Sequence, residues 1–380
     1  MKILIVVENF DPSRGYLEYY LFKELIKLKI KTIIITFGHY KRFLRINKKD
    51  YKIVYLPSLL SFNSYHFPNL IALIHLLKII KEESPQIIHC QPLFSPTCVY
   101  LLAMKKVFKY KCVGSLITGE FHLKSITTLI FFKLVIWVIS LVKSNIDHFF
   151  AINSYVKNYI SQTFGISSNK ITIIPLGVDT ELFRFDECKR IQIRQRLGIQ
   201  LDDKIVCYSG RILPEKKLES LIMAIAPIVK NDPKVKLLVI GDDNPKYLKF
   251  LKQLIIENQL ESNVIFHPTV HRTQLPSFYS ACDIAVWPAA PTISILEAAS
   301  MGIPVISGSG FFYKHLAEMG AIYLIKRGDW LTLSLLIYNL LKNDDLRKRM
   351  RVILRNLMIE NFDWRNIAKE YFKIYWDILK

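Results

Sequence analysis

The chain has 380 residues, 51% of them hydrophobic, and its 52 Lys and Arg outnumber 32 Asp and Glu for a net charge of +20. That length exceeds one small core and fits two domains of ordinary size, and the apolar content excludes a disordered chain. The six cysteines (Cys90, Cys98, Cys112, Cys188, Cys207 and Cys282) form no CxxC pair, which excludes a disulfide frame or zinc site and reads as reduced core residues of a cytosolic protein.

Met1 runs straight into KILIVV (2–7). This segment lacks the basic region, long apolar run and cleavage site of a secretory signal, so a cytoplasmic chain is expected. KILIVV is a short apolar run, the mark of a strand buried on both faces. Helical apolar spacing follows at 16–28, then a strand at 31–37. The unit repeats, with helices near 69–82, 95–108, 125–143 and 153–163 and strands at 86–90, 111–117, 148–152 and 170–175. Such alternation predicts a parallel, doubly wound sheet with crossover helices. Residues 176–204 break the pattern, turn-like and then charged, with no strand. A second series starts at KIVCYSG (204–210). It continues through a helix at 215–230, VKLLVIGD (235–242), a helix at 245–259, NVIFHP (263–268), DIAVWP (283–288), a helix around Glu297 and IPVIS (303–307). From Trp330 the tail reads as mostly helical and ends in WRNIAKEYFKIYWDILK (364–380). The fold class is therefore α/β, with two facing Rossmann-like lobes around a cleft, because ligands of such sheets sit beyond the carboxyl ends of the strands.

Charge is uneven between these lobes. Residues 1–175 hold 23 Lys and Arg against 9 Asp and Glu, a net of +14, and residues 176–380 hold 29 against 23, a net of +6. A basic first lobe suits an anionic membrane surface. Nucleic acid is not expected, since the basic residues are dispersed and no RNP or zinc-finger motif accompanies them. The apolar stretch ITTLIFFKLVIWVISLV (126–142) is shorter than the roughly 20 residues of a spanning helix. It reads as a crossover helix whose outer edge rests on the bilayer, which predicts a peripheral protein at the inner face.

Two stretches of the second lobe carry the chemistry. CYSGRILPEKK (207–217) places Arg211 and Lys216 just past a buried strand, and WPAAPTISILEAASMGIPVI (287–306) places Glu297 on a helix leading into the next strand. Two cations suit phosphate oxygens, and a carboxylate accepts from both hydroxyls of a sugar diol. Together they suit a nucleotide sugar. The first loop holds Gly15 but no GxGxxG, which disfavours a dinucleotide oxidoreductase.

On these residues the chain resembles a family 4 glycosyltransferase of the GT-B fold over nearly its whole length. SYVKNYISQTFGISSNKITIIPLGVDTELF (154–183) is similar to the family's approach to its second lobe. GRILPEKK (210–217) matches its Gly-Arg with a Lys five residues after the Arg, and LEAASMGIPVI (296–306) matches its Glu-Ala…Gly-x-Pro-Val-Ile block. The aromatic C-terminal helix resembles the one that crosses back onto the first lobe. The resemblance implies an acceptor-binding domain at 1–175, joined by 364–380, and a donor-binding domain at 176–363. It also implies a retaining, metal-independent transfer from a UDP- or GDP-linked sugar to a lipid-linked or glycan acceptor. Attack comes from the front face, and lobe closure excludes water.

The resemblance implies roles for single residues. Gly210, Arg211 and Lys216 would hold the diphosphate, Glu297 the ribose, and the backbone N–H groups of Ile293 and Ser294 the phosphates at a helix start that Thr292 caps. Thr269 and Val270 would meet the base through backbone groups. Gly15 takes the place of a glycine-rich loop near the donor phosphate, although the family has two adjacent glycines and this chain has Arg14 before Gly15. His122 is favoured over Glu120 to face the sugar, and His89 reads equally as a cleft or a structural residue. The family's second Glu, eight residues before Glu297, is Ala289 here, and Lys217 stands where the family usually has Gly. Ala289 keeps open a catalytically silent nucleotide-sugar-binding relative, and a GT-B nucleotide-sugar epimerase is the other alternative.

Overall fold

The computed structural model describes residues 1–10, 17–38, 43–62, 65–116, 126–242, 244–289, 292–310 and 313–380. Gly15, Glu120 and His122 lie outside the described residues. The chain divides into two compact units, Met1–Leu176 with Trp364–Lys380, and Gly177–Asp363.

The first unit runs β1 (Lys2–Val7), α1 (Leu17–Lys27), β2 (Lys31–Gly38), β3 (Leu44–Asn47), β4 (Tyr51–Phe62), β5 (Tyr65–Pro68), α2 (Leu70–Glu83), β6 (Ile87–Gln91), α3 (Pro96–Phe108), β7 (Lys111–Leu116), α4 (Ile126–Val142), β8 (His148–Ala151), α5 (Ser154–Phe164) and β9 (Ile171–Ile173). Its sheet has the order β3-β4-β2-β1-β6-β7-β8-β9, with β5 paired to β4. β1 lies between β2 and β6, parallel to both, and Ile3 through Val7 are buried. Helices cover both faces, which is why the strand reads as an unbroken apolar run.

The parallel alternation expected from the sequence omits β3, β4 and β5. β3 and β5 run antiparallel to β4. The residues of β3 are exposed or half-buried, so no apolar period marks it. His89 lies in the core and not on an open face. It is 0% exposed, its Nδ1 is 2.6 Å from Tyr375 Oη, and Phe150 and Tyr371 pack on its ring. Burial drives its pKa down to about 3, so it stays neutral.

The second unit runs α6 (Glu187–Arg196), β10 (Lys204–Ser209), α7 (Leu218–Asn231), β11 (Val235–Ile240), α8 (Pro245–Glu257), β12 (Val264–His267), α9 (Leu275–Ala281), β13 (Ile284–Trp287), α10 (Ser294–Ser300), β14 (Val305–Gly308), α11 (Lys314–Glu318), β15 (Ile322–Ile325), α12 (Trp330–Lys342) and α13 (Asp344–Asn361). The sheet order is β12-β11-β10-β13-β14-β15, all parallel. From β10 the chain first builds outward through β11 and β12, then returns to add β13, β14 and β15 on the other side. The gap between β10 and β13 is therefore the topological switch point. The last helix, α14 (Trp364–Leu379), belongs to the first unit, where Trp364 stacks on Tyr20 of α1.

α6 sits inside the charged stretch that breaks the sequence pattern. It is fixed by a buried guanidinium. Arg194 is fully buried, pairs with Asp283 at 2.9 Å and donates to the carbonyls of Ala281, Gln200, Leu201 and Asp203. Asp283 also pairs with Arg190 and accepts from the Ile205 N–H at the start of β10. Cys188, on α6, is exposed, which corrects the expectation that all six cysteines are core residues; the other five are buried and all six are free thiols.

Candidate donor site

The two chemical motifs flank the switch point of the second unit. Gly210 follows β10 with φ of 141°, and its N–H donates to the Ile240 carbonyl at 2.9 Å. Here two backbones approach closely. A Cβ on Gly241 would stand 1.8 Å from the Gly210 carbonyl oxygen, so only glycine fits at 241. The chain then exposes Arg211, whose carbonyl accepts from Tyr208 Oη at 2.9 Å. Lys216 closes a single 3₁₀ turn (Pro214–Lys216) instead of opening the helix. Lys217 turns left-handed at φ 56° before α7 begins at Leu218, which is the conformation that a glycine adopts most easily.

Lys216 is half-buried, and burial together with the nearby Arg211 and Arg327 holds its ammonium below the usual lysine range, against the pull of Glu215. Arg327 was not expected from the sequence. It follows β15, a strand the sequence reading missed, and its Nη2 donates to the Glu215 carbonyl at 3.1 Å. Gly328 donates to the Pro288 carbonyl at 3.0 Å, which ties this loop to the end of β13. Three cations thus meet beside one carboxylate at the carboxyl ends of the strands. Such like-charge crowding is unfavourable until an anion joins it.

Across the switch point, Glu297 lies within α10 and is only 2% exposed. Its Oε1 pairs with Arg272 Nη2 at 2.7 Å, and Arg272 also stands over the Phe183 ring. Burial pushes the Glu297 carboxyl up, while Arg272 and Ser294 pull it back. The sequence points to Thr269 and Val270 for the donor base and gives Arg272 no role. Tyr279 joins the two sides: its hydroxyl is 2.5 Å from Ser209 Oγ at the end of β10, and burial, with the nearby carboxyl of Glu297, raises its pKa. Trp287 Nε1 donates to the Ser209 carbonyl at 2.9 Å.

Thr292 does not cap α10 with its side chain. The N-cap is Ile293, without a side-chain cap bond, and the Thr292 carbonyl accepts from Ile295 N–H at 3.1 Å and from Tyr313 Oη at 3.0 Å. The first ladder bonds of α10 come from Ile295 and Leu296, so the N–H groups of Ile293 and Ser294 precede the ladder. Thr269 is exposed and Val270 half-buried in the loop after β12. Ala289 is 3% exposed, and a Cβ on Gly308 would stand 2.7 Å from its carbonyl oxygen. The chain is thus tightly packed where the family has its other Glu.

Two family models match. The model described as glycosyl transferases group 1 covers residues 189–356, and the model of glycosyltransferase family 4 covers residues 18–182. Among solved structures, Anabaena HepE in complex with UDP superposes with a TM-score of 0.80 at 18% identity, over 99% of this chain and 100% of that one. The fold is GT-B, with two Rossmann-like domains. The chain belongs to the family 4 glycosyltransferases.

Sequence relatives are more distant in coverage. The GDP-mannose-dependent alpha-(1-6)-phosphatidylinositol monomannoside mannosyltransferase of Mycolicibacterium smegmatis is 24% identical over 56% of this chain and 58% of its own length. The alpha-monoglucosyldiacylglycerol synthase of Streptococcus pneumoniae is 29% identical over 40% of this chain and 36% of its own length. The chain therefore spans about half or less of the length of these relatives.

Proposed function

We propose that the chain is a glycosyltransferase that moves a sugar from a nucleotide diphosphate sugar to a lipid-linked or glycan acceptor. The observation that carries this reading is the gathering of Arg211 and Lys216, after β10, with Arg327, after β15, while the buried carboxyl of Glu297 sits on the helix after β13. The cations stabilise the charge that grows on the departing diphosphate, and they are held in place before the reaction starts. Glu297 accepts from the ribose hydroxyls. Ile293 and Ser294 offer N–H groups to the phosphates. The donor is UDP- or GDP-linked, with its base beside Thr269 and Val270, and no resident metal takes part.

The transfer proceeds with retention. The acceptor oxygen forms its bond to the anomeric carbon on the face from which the diphosphate leaves. The bond from that carbon to the phosphate oxygen breaks, and the acceptor proton passes to the leaving phosphate. Membrane residence is part of the same proposal. Ile126, Ile130, Leu134, Trp137 and Leu141 are exposed along α4 of the basic unit, a stripe suited to the surface of an anionic bilayer. Among the described residues no helix is long and apolar enough to cross a membrane.

The test is turnover of UDP-glucose or GDP-mannose with diacylglycerol or phosphatidylinositol in mixed micelles. Release of nucleotide with an acceptor-dependent product of unchanged anomeric configuration supports the proposal. Inverted product refutes the retaining step. A second reading, a silent binding relative, draws on the apolar packing at Ala289. It is favoured if donor binds and no acceptor releases nucleotide.

A further inference from the structure

The first unit has its own switch point. From β1 the sheet builds to β2 on one side and to β6 on the other, so the crevice lies between the carboxyl ends of β1 and β6. Glu8 directly follows β1, and Ser95 caps α3 after β6. Glu8 is 8% exposed. Its Oε2 accepts from the backbone N–H of His66 on β5 at 2.6 Å. Its Oε1 is buried with no partner at hydrogen-bonding distance, although the Ser95 side chain lies near enough to pull the carboxyl's pKa down. A buried carboxylate oxygen without a donor is costly, and native chains keep such a group where a water, strain or function accounts for it.

The surroundings limit what completes it. The carboxyl borders Ser95, at the start of the 13-residue α3, and burial raises its pKa against the pull of the His66 N–H and the Ser95 side chain. The unfilled position on the buried Oε1 takes a neutral donor, and a hydroxyl meets that description. Thr97, on the first turn of α3, has a second buried hydroxyl without a partner. The surrounding β5 contributes Tyr65, whose phenol stays protonated through burial and the nearby Glu8. Burial also moves the Glu8 carboxyl up to about 7, which fits a group kept for binding better than one kept for solubility.

We infer that Glu8 is an acceptor-binding residue, its free carboxylate oxygen accepting a hydrogen bond from a hydroxyl of a sugar, cyclitol or glycerol acceptor at the switch point of the first sheet. This rests on the transferase reading and deepens it. It adds a carboxylate to a unit whose expected site residues, Gly15 and His122, supply none.

The test compares wild type with Glu8→Gln and Glu8→Asp. It measures KM for diacylglycerol or phosphatidylinositol micelles by nucleotide release, donor Kd by calorimetry, and melting temperature. Glu8→Gln keeps the size and an acceptor for His66 but places an amide where Oε1 was. Expected is a rise in acceptor KM of about tenfold to a hundredfold, the range for one hydrogen bond to a charged group, with donor Kd unmoved. Glu8→Asp, which stays acidic but is shorter, should fall between. An acceptor KM within twofold of wild type in Glu8→Gln overturns the inference and leaves a buried water as the partner of Oε1. A donor Kd that moves with the acceptor KM, or a lowered melting temperature, also overturns it, because the residue is then structural. Wild type that fails to bind donor overturns the transferase reading itself, and this inference with it.

Discussion

Arg211 and Lys216 are the residues on which the donor reading turns, and their prediction follows from charge. Arg211→Ala and Lys216→Ala should each weaken binding of a nucleotide diphosphate by about tenfold to a hundredfold, since each removes a hydrogen bond to a charged group. Arg327→Ala should cost less, roughly threefold to tenfold, because its guanidinium already donates to the Glu215 carbonyl; calorimetric titration with UDP and GDP separates the three. Glu8 yields a pH prediction. Its folded pKa is raised from 4.5 to about 7, chiefly by burial. The folded chain therefore holds the proton more tightly than the unfolded chain, and stability is greatest below the lower value. It is lost as pH rises through the window to about 7, by about 3 kcal/mol at most. Urea denaturation at about pH 5 and about pH 8 should show this drop in wild type and a smaller one in Glu8→Gln. Equal drops would mean that Glu8 is not the group. Arg211, Lys216 and Glu297 were visible in the sequence because each stands next to a buried strand or a recognisable helix. Arg272 and Arg327 were not, since each meets its partner only through the fold: Arg272 across to Glu297, and Arg327 from the edge strand to the Glu215 carbonyl.

Among the elements, most strands were legible, including β9 and β12 at sheet edges, whereas β3, β4, β5 and β15 were not. β1, β6, β10 and β11 read as largely apolar runs because helices cover both sides. β3 offers no period to read, its residues being exposed or half-buried, and β15 is a four-residue strand at the edge of its sheet. α6 hides in charge for another reason: beside Ile193 its inward residue is Arg194, a cation buried by pairing, where a hydrophobic pattern expects a second apolar residue. Arg194→Ala leaves the carboxylate of Asp283 without its buried partner and removes the guanidinium from four carbonyls. The expected loss is about 3–5 kcal/mol, read as a shift in denaturation midpoint; a loss under about 1 kcal/mol would contradict that account of α6. α4 belongs to this scale too. Replacing Ile130, Leu134 and Trp137 together with Ser should abolish sedimentation with anionic phospholipid vesicles and leave the fold intact, since all three are exposed. Vesicle binding that survives the triple change would place the membrane contact elsewhere.

At the scale of the molecule, the chain repeats one device. Each unit is a mostly parallel sheet with a switch point, and each gathers chemistry there: three crowded cations and the buried Glu297 in the second unit, and Glu8 with a buried, unpartnered carboxylate oxygen in the first. Open α/β sheets concentrate ligands at this position because helix starts and strand ends meet there without covering one another. The class of architecture was therefore legible from alternation alone, and the donor residues from two short motifs. The sugar and its acceptor are set by contacts within those crevices that no spacing in the sequence encodes. The most direct measurement is calorimetric titration of the wild-type chain with UDP-glucose and GDP-mannose, beside Arg211→Ala and Glu297→Gln. The account predicts saturable 1:1 binding of one of these donors, weakened about tenfold or more in each variant. Binding that is equally tight in both variants, or absent from the wild type for both donors, would contradict it.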